Sequence, residues 1–153
     1  MFCGHRKVWE ATIEVAALAK EEIQKLASNG VNEFWTGGMG EFDHICKHFV
    51  LELRKSENLQ FKLVLPYITQ KANKYKDLYG LNYNEIIIPD LPDVHYKTLR
   101  NRWMVEQCDC MLAYVWREGG GARQTLQYAA SRSRIQIINL ADRISTIQRK
   151  SPF

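Results

Sequence analysis

The sequence predicts an α/β fold, a Rossmann-like three-layer sandwich built on a mainly parallel sheet. Short apolar runs of strand length alternate with segments of helical periodicity along the whole chain. Such alternation implies crossover connections and helices on both faces of a sheet. Most of the nine glycines also gather just after predicted strands, where sheets of this kind bind their ligands.

The first apolar run, Phe2-Cys3, ends at Gly4-His5-Arg6. Ile13, Ala16, Ala19, Ile23 and Leu26 recur at three and four residues, the stripe of an amphipathic helix that stops at Asn29-Gly30. A short strand through Phe34-Trp35 runs into Thr36-Gly37-Gly38-Met39-Gly40, and Phe42, Ile45, Cys46, Phe49, Val50 and Leu53 again keep helical spacing. Phe61 to Leu65 reads as a strand closed by Pro66. A polar helix over Gln70 to Leu78 leads through Gly80 to the β-branched run Glu85 to Ile88. Tyr96 to Glu106 reads as a helix feeding a strand over Cys110 to Val115; after Glu118-Gly119-Gly120-Gly121 come a helix near Arg123 to Ala130 and a last strand, Ile135 to Ile138.

At 153 residues the chain is the size of one domain, expected to span 1–153 with a peripheral tail from Asp142 to Phe153, an exposed helix or disordered. That length buries roughly two thirds of the unfolded surface, so neither disulfides nor a structural metal is required. Four irregularly spaced cysteines, no apolar run long enough for a bilayer and no secretory layout at the start point to a cytoplasmic protein. The net charge of +4 is spread over the length, which argues against a nucleic-acid face. His44 and His48 are four apart on a helix, but Ile45 stands where a zinc-protease motif has Glu, so no metal site is expected. Cys108 and Cys110 read as packing residues on opposite faces of a strand start.

Two glycine loops that open directly into helices, Gly37-Gly38-Met39-Gly40 and Gly119-Gly120-Gly121, carry the functional reading. Glycine lets a ligand approach the backbone, and a helix's first turn offers unpaired amides with a partial positive charge. Together they suit phosphate. Neither loop is a P-loop or a dinucleotide Gly-x-Gly-x-x-Gly fingerprint. Arg6, Arg100, Arg102 and Arg123 lie near the loops in sequence. His5 reads as a neutral-range donor or acid, Asp43 as a ribose ligand, a helix cap or a partner of Arg6, Trp103 as core and Trp116 as a surface for stacking on a base.

Phe2-Cys3-Gly4-His5-Arg6, Thr36-Gly37-Gly38-Met39-Gly40-Glu41-Phe42-Asp43, Leu65-Pro66-Tyr67 with Gln70, Arg100-Asn101-Arg102-Trp103-Met104-Val105, and Gly120-Gly121 with Tyr128-Ala129 together resemble, in that order, the bacterial YpsA-like family. That family sits in the SLOG superfamily with DprA, molybdenum-cofactor carrier proteins and the LOG phosphoribohydrolases. The resemblance covers residues 2 to about 138 and implies a Rossmann-like fold with a pocket for a nucleotide or nucleotide-derived ligand, such as NAD, ADP-ribose or a nucleoside phosphate. Its implied rim is Gly4, His5, Arg6, Thr36, Gly37, Gly38, Gly40, Asp43, Arg100, Asn101, Gly119, Gly120 and Gly121. Cys3 and Ala122 stand where the family has threonines, which bears on affinity more than on location. SLOG relatives often form homodimers. The LOG enzymes resemble this chain at Arg100, Met104 and Asp109, but their catalytic glutamate falls on Thr125, which cannot stabilise oxocarbenium charge. A binding or sensor role therefore leads, ahead of a nucleotide-processing hydrolase or transferase, with single-stranded DNA binding last.

Overall fold

The structure is a computed structural model and describes residues 1–8, 11–67, 85–92 and 94–144. Its strands are β1 (Phe2–Gly4), β2 (Glu33–Thr36), β3 (Gln60–Val64), β4 (Ile86–Ile87), β5 (Cys110–Tyr114) and β6 (Gln136–Asn139). Its helices are α1 (Thr12–Ser28), α2 (Glu41–Leu53), α3 (Tyr96–Gln107) and α4 (Gly121–Ala130), with a 3-10 turn at Leu140–Arg143. The helix expected over Gln70 to Leu78 lies outside the described residues.

Every strand pairing is parallel, in two three-stranded ladders ordered β1-β5-β6 and β2-β3-β4. The ladders adjoin at β1 and β2, where the Phe2 and Phe34 rings stack at 5.9 Å. Alternation along β5 separates two cores. Leu112 and Tyr114 join Val15, Ile23, Phe42 and Val50 beneath α1 and α2, whereas Met111, Ala113 and Val115 join Val105, Leu126 and Ala129 beneath α3 and α4. A helical layer on each face of parallel strands is the Rossmann-like sandwich the sequence predicts.

Two local expectations differ. In α1 the buried positions are Val15, Ala19, Glu22 and Ile23, while Ile13 is 85% exposed in the first turn. The true stripe therefore begins at Val15, and Ile13 lies off it. The start of the expected tail, Asp142 to Ile144, is docked. Leu140, Ala141 and Ile144 are buried, and Arg143 pairs at 2.5 Å with Glu22, which is itself buried on α1. Asn139 extends the β5-β6 ladder with its side chain, its Oδ1 accepting from Val115 N at 3.0 Å and its Nδ2 donating to Val115 O at 2.9 Å.

Chain order places the functional end. From β1 the chain steps outward to β2, β3 and β4, then returns by α3 to β5 on the other side of β1. The order of strands reverses between β1 and β5, so their carboxyl ends flank the crevice where such folds take ligands. Close packing holds α2 against that end. A Cβ built on Gly4 would stand 2.5 Å from the Phe42 side chain, and one on Gly40 would stand 2.6 Å from the Arg6 Cα. The second contact is with backbone, which cannot rotate away. Gly40→Ala is expected to lose about 1 to 3 kcal/mol of unfolding free energy, whereas Gly119→Ala, with nothing within 4 Å of the new methyl, stays within about 0.5 kcal/mol of wild type. Urea unfolding of the two variants checks the contrast.

Candidate functional site

A cleft of about 800 Å³ opens at the carboxyl ends of β1 and β5. Of the expected rim, Gly4, His5, Arg6, Gly37, Asp43, Arg100, Asn101 and Gly119 to Gly121 line it, while Thr36, Gly38 and Gly40 do not. Those three serve the turn between β2 and α2. The Thr36 hydroxyl, fully buried, donates to Asp43 Oδ1 at 2.9 Å and accepts from the Gly38 amide at 3.0 Å. Gly38 supplies a positive φ of 66° that the turn needs.

The two glycine loops differ in what they leave open. At the start of α2, the Glu41 amide donates to Arg6 O at 2.9 Å, and Asp43 Oδ2 accepts from the Met39 amide at 3.0 Å. Glu41 and Asp43 also place two carboxylates in the first turn, so this helix end already has its own anions. Asp43 thus braces the loop that leads into α2 rather than capping the helix itself, which has no side-chain cap. Burial raises its pKa, while the Met39 amide and the Thr36 hydroxyl act in the opposite sense by bonding the carboxylate.

The start of α4 is unlike this. Gly120 holds a φ of 94° and no first-turn residue is acidic, although, as at α2, no side chain caps the helix. The first helical amide bond is Gln124 N to Gly120 O at 3.1 Å, which leaves the preceding amides at the helix mouth. Gly119, Gly120 and Gly121 are exposed on the cleft rim.

The cleft is strongly cationic. Arg6, Lys7, Lys97, Arg100, Arg102 and Arg117 line it, and Asp43 is its one carboxylate among the described residues. Arg100 is 2% exposed. Its Nη1 donates to Val64 O at 2.8 Å and Gly37 O at 3.2 Å, and its Nε donates to Asn101 Oδ1 at 2.8 Å. Among the described residues, Nη2 has no hydrogen bond and the guanidinium has no carboxylate within ion-pair distance. Burial pulls its pKa down and the charge of Asp43 opposes that, but a guanidinium remains charged. Asn101 passes the network on, its Nδ2 donating to Thr125 Oγ1 at 3.2 Å.

His5 is 8% exposed and acts first as an acceptor. Its Nε2 receives the amides of Trp116 and Arg117, each at 3.1 Å, and its own amide donates to Tyr114 O at 3.3 Å. Two N–H groups aimed at Nε2 require the ring proton on Nδ1. Burial, aided by the Arg117 charge, lowers the His5 pKa to about 4. The ring is therefore neutral across the physiological range, which removes the acid reading.

Trp116 does not face the cleft as expected; it packs on the α1–α2 core beside the His5 ring. Trp103 stacks on Trp35 at 5.6 Å. Arg102 lies over the Tyr128 ring at 5.1 Å, and both line the cleft. Lys97 and Gln124 are among the lining residues that motif reading passed over, and Tyr128 entered it only within a motif, with no site role. Their signal was helical spacing, since Lys97 shares a face with Arg100 and Asn101, and Gly121, Gln124, Thr125 and Tyr128 share another. No protein-family model matches this chain, and no curated protein matches it in sequence. No helix among the described residues is long and apolar enough to cross a membrane.

Between pH 6.5 and about 4 the unfolded chain protonates this imidazole and the folded chain does not. Stability therefore falls as pH drops through that window, by about 3 kcal/mol at most for a shift of this size. Asp43, with its raised pKa, works with the opposite sign in wild type and variant alike. The loss between pH 6.5 and 4.5 is accordingly expected to be smaller in His5→Gln, measured by chemical unfolding at both pH values.

Proposed function

We propose that this protein binds a nucleotide or nucleotide-derived phosphate ligand, of the class of NAD, ADP-ribose or a nucleoside phosphate, in the cleft at the ends of β1 and β5. The observation that carries the reading is the uncapped start of α4 opening into a cleft lined by six Lys and Arg side chains and one carboxylate that is already bonded. Helix amides and converging cations together favour phosphate over neutral ligands. The YpsA-like motifs point the same way.

A binding role fits the side chains better than glycoside cleavage. That reaction needs a carboxylate presented to the sugar. Asp43 spends both oxygens on Thr36 and Met39, Glu118 is 87% exposed and paired with Arg123 at 3.1 Å, and Thr125 donates to Gly121 O at 2.8 Å. Single-strand binding calls for stacking aromatics along a groove, and Trp103 and Trp116 are turned to protein neighbours instead.

Thermal melts with a panel of NAD, ADP-ribose, AMP and cyclic nucleotides test the reading. At a hundredfold excess over Kd a ligand adds about 2.7 kcal/mol, which raises Tm by roughly 5 to 10 °C for a chain of this length. At least one member is expected to do so, and the double variant Lys97→Glu/Arg117→Glu is expected to lose the rise. No rise from any member at millimolar concentration defeats the proposal.

A further inference from the structure

The floor of the cleft holds two donors that its mouth does not explain. His5 and Arg100 are each more than nine-tenths buried, yet both line the cleft. With Nε2 occupied by two amides, the His5 proton sits on Nδ1, and that N–H has no acceptor among the described residues. Arg100 Nη2 has none either among the described residues, since the bonds of that guanidinium leave from Nε and Nη1. Among the described residues, the polar side-chain atoms sealed from solvent without a partner are Trp116 Nε1 and Arg123 Nε. His5 Nδ1 and Arg100 Nη2 are not among them, so both open into the space their residues line.

These donors lie in a row with the start of α4. Arg100 packs under Gly37, just beyond β2. His5 follows β1, and Gly119 to Gly121 follow β5, the ladder partner of β1. Ladder partners such as β1 and β5 are about 4.8 Å apart, and the step from β1 to β2, which has no ladder, adds at least as much, so the row is about 10 Å long or more. One phosphate cannot reach both ends. A buried guanidinium with no carboxylate in contact, and Asp43 acting on it only from beyond ion-pair distance, favours an anion, because a poorly compensated charge away from water is costly.

Resting on the reading of the cleft as a phosphate-ligand site, we propose that the ligand carries two separated anionic groups, one on the open first turn of α4 and the other on the floor between His5 Nδ1–H and Arg100 Nη2. The class this describes is a nucleoside or sugar with phosphates on opposite sides of the ring. A single phosphate ester fills only the mouth. The His5 tautomer makes the floor a fixed donor, and Gly37 keeps it open, since a methyl there would press to 3.1 Å from Nη2.

Calorimetric titration with AMP and with adenosine 3′,5′-bisphosphate tests the assignment. Wild-type protein is expected to bind the bisphosphate at least about tenfold more tightly than AMP. In Arg100→Lys that preference is expected to shrink to about twofold or less, with a melting transition confirming that the variant is folded. Should Arg100→Lys not fold, Gly37→Ala is expected to reduce the same preference by covering the floor. Equal affinity for the two ligands in wild type overturns the two-anion assignment and leaves the phosphate site standing. Binding of neither ligand overturns the phosphate site and the assignment with it. A preference that survives both variants also overturns the assignment, because the second phosphate is then held elsewhere.

Discussion

The mouth of the cleft hangs on one imidazole. His5 continues the β1-β5 ladder with its backbone and then takes two consecutive amides of the loop after β5 on one ring nitrogen. The loop that delivers Gly119 to Gly121 to the start of α4 is thus tied to the end of β1 before it turns. The arrangement works only while that nitrogen is unprotonated. Burial and the neighbouring Arg117 charge secure this. The shape of the cleft mouth and the neutrality of a histidine are linked here, since a proton on Nε2 would release the amides that set the loop.

A division of labour between two similar sequences follows. Gly37-Gly38-Met39-Gly40 and Gly119-Gly120-Gly121 both precede helices, yet the first is filled by its own protein. Asp43, Thr36 and the Arg6 carbonyl take the amides there, and Gly40 is small because the β1 loop crosses it. Around the second loop a methyl group meets nothing. Glycine serves close packing in one place and open access in the other.

The fold was legible because periodicity alone fixes it. Alternating runs located the six strands and four helices of the described residues to within a few residues, and the α2 stripe from Phe42 to Leu53 packs on the core as its spacing predicts. Ile13 misled because a first-turn apolar residue fits a three-or-four spacing without facing the core. At the site, sequence identified which loops meet but not their hydrogen-bond partners. Thr36 and Asp43 bond each other across seven residues, and Trp116 turns inward beside His5, both outcomes of tertiary contact. Arg100 was found by motif, while its grip on the carbonyls of Gly37 and Val64 depends on strands far off in sequence.

The junction between the two ladders gives Arg100 a mechanical meaning. Across β1 and β2 the sheet is held by rings and close-packed glycines, with no ladder pairing among the described strands. Side chains can slide there at less cost than a hydrogen-bonded ladder would impose, so this seam is the compliant line of the sheet. Arg100 reaches over it from α3, which belongs with β5, to carbonyls at the ends of β2 and β3. One guanidinium is both a stitch across the seam and part of the cleft floor. Through it α3 is fastened to the loop after β2 and the end of β3.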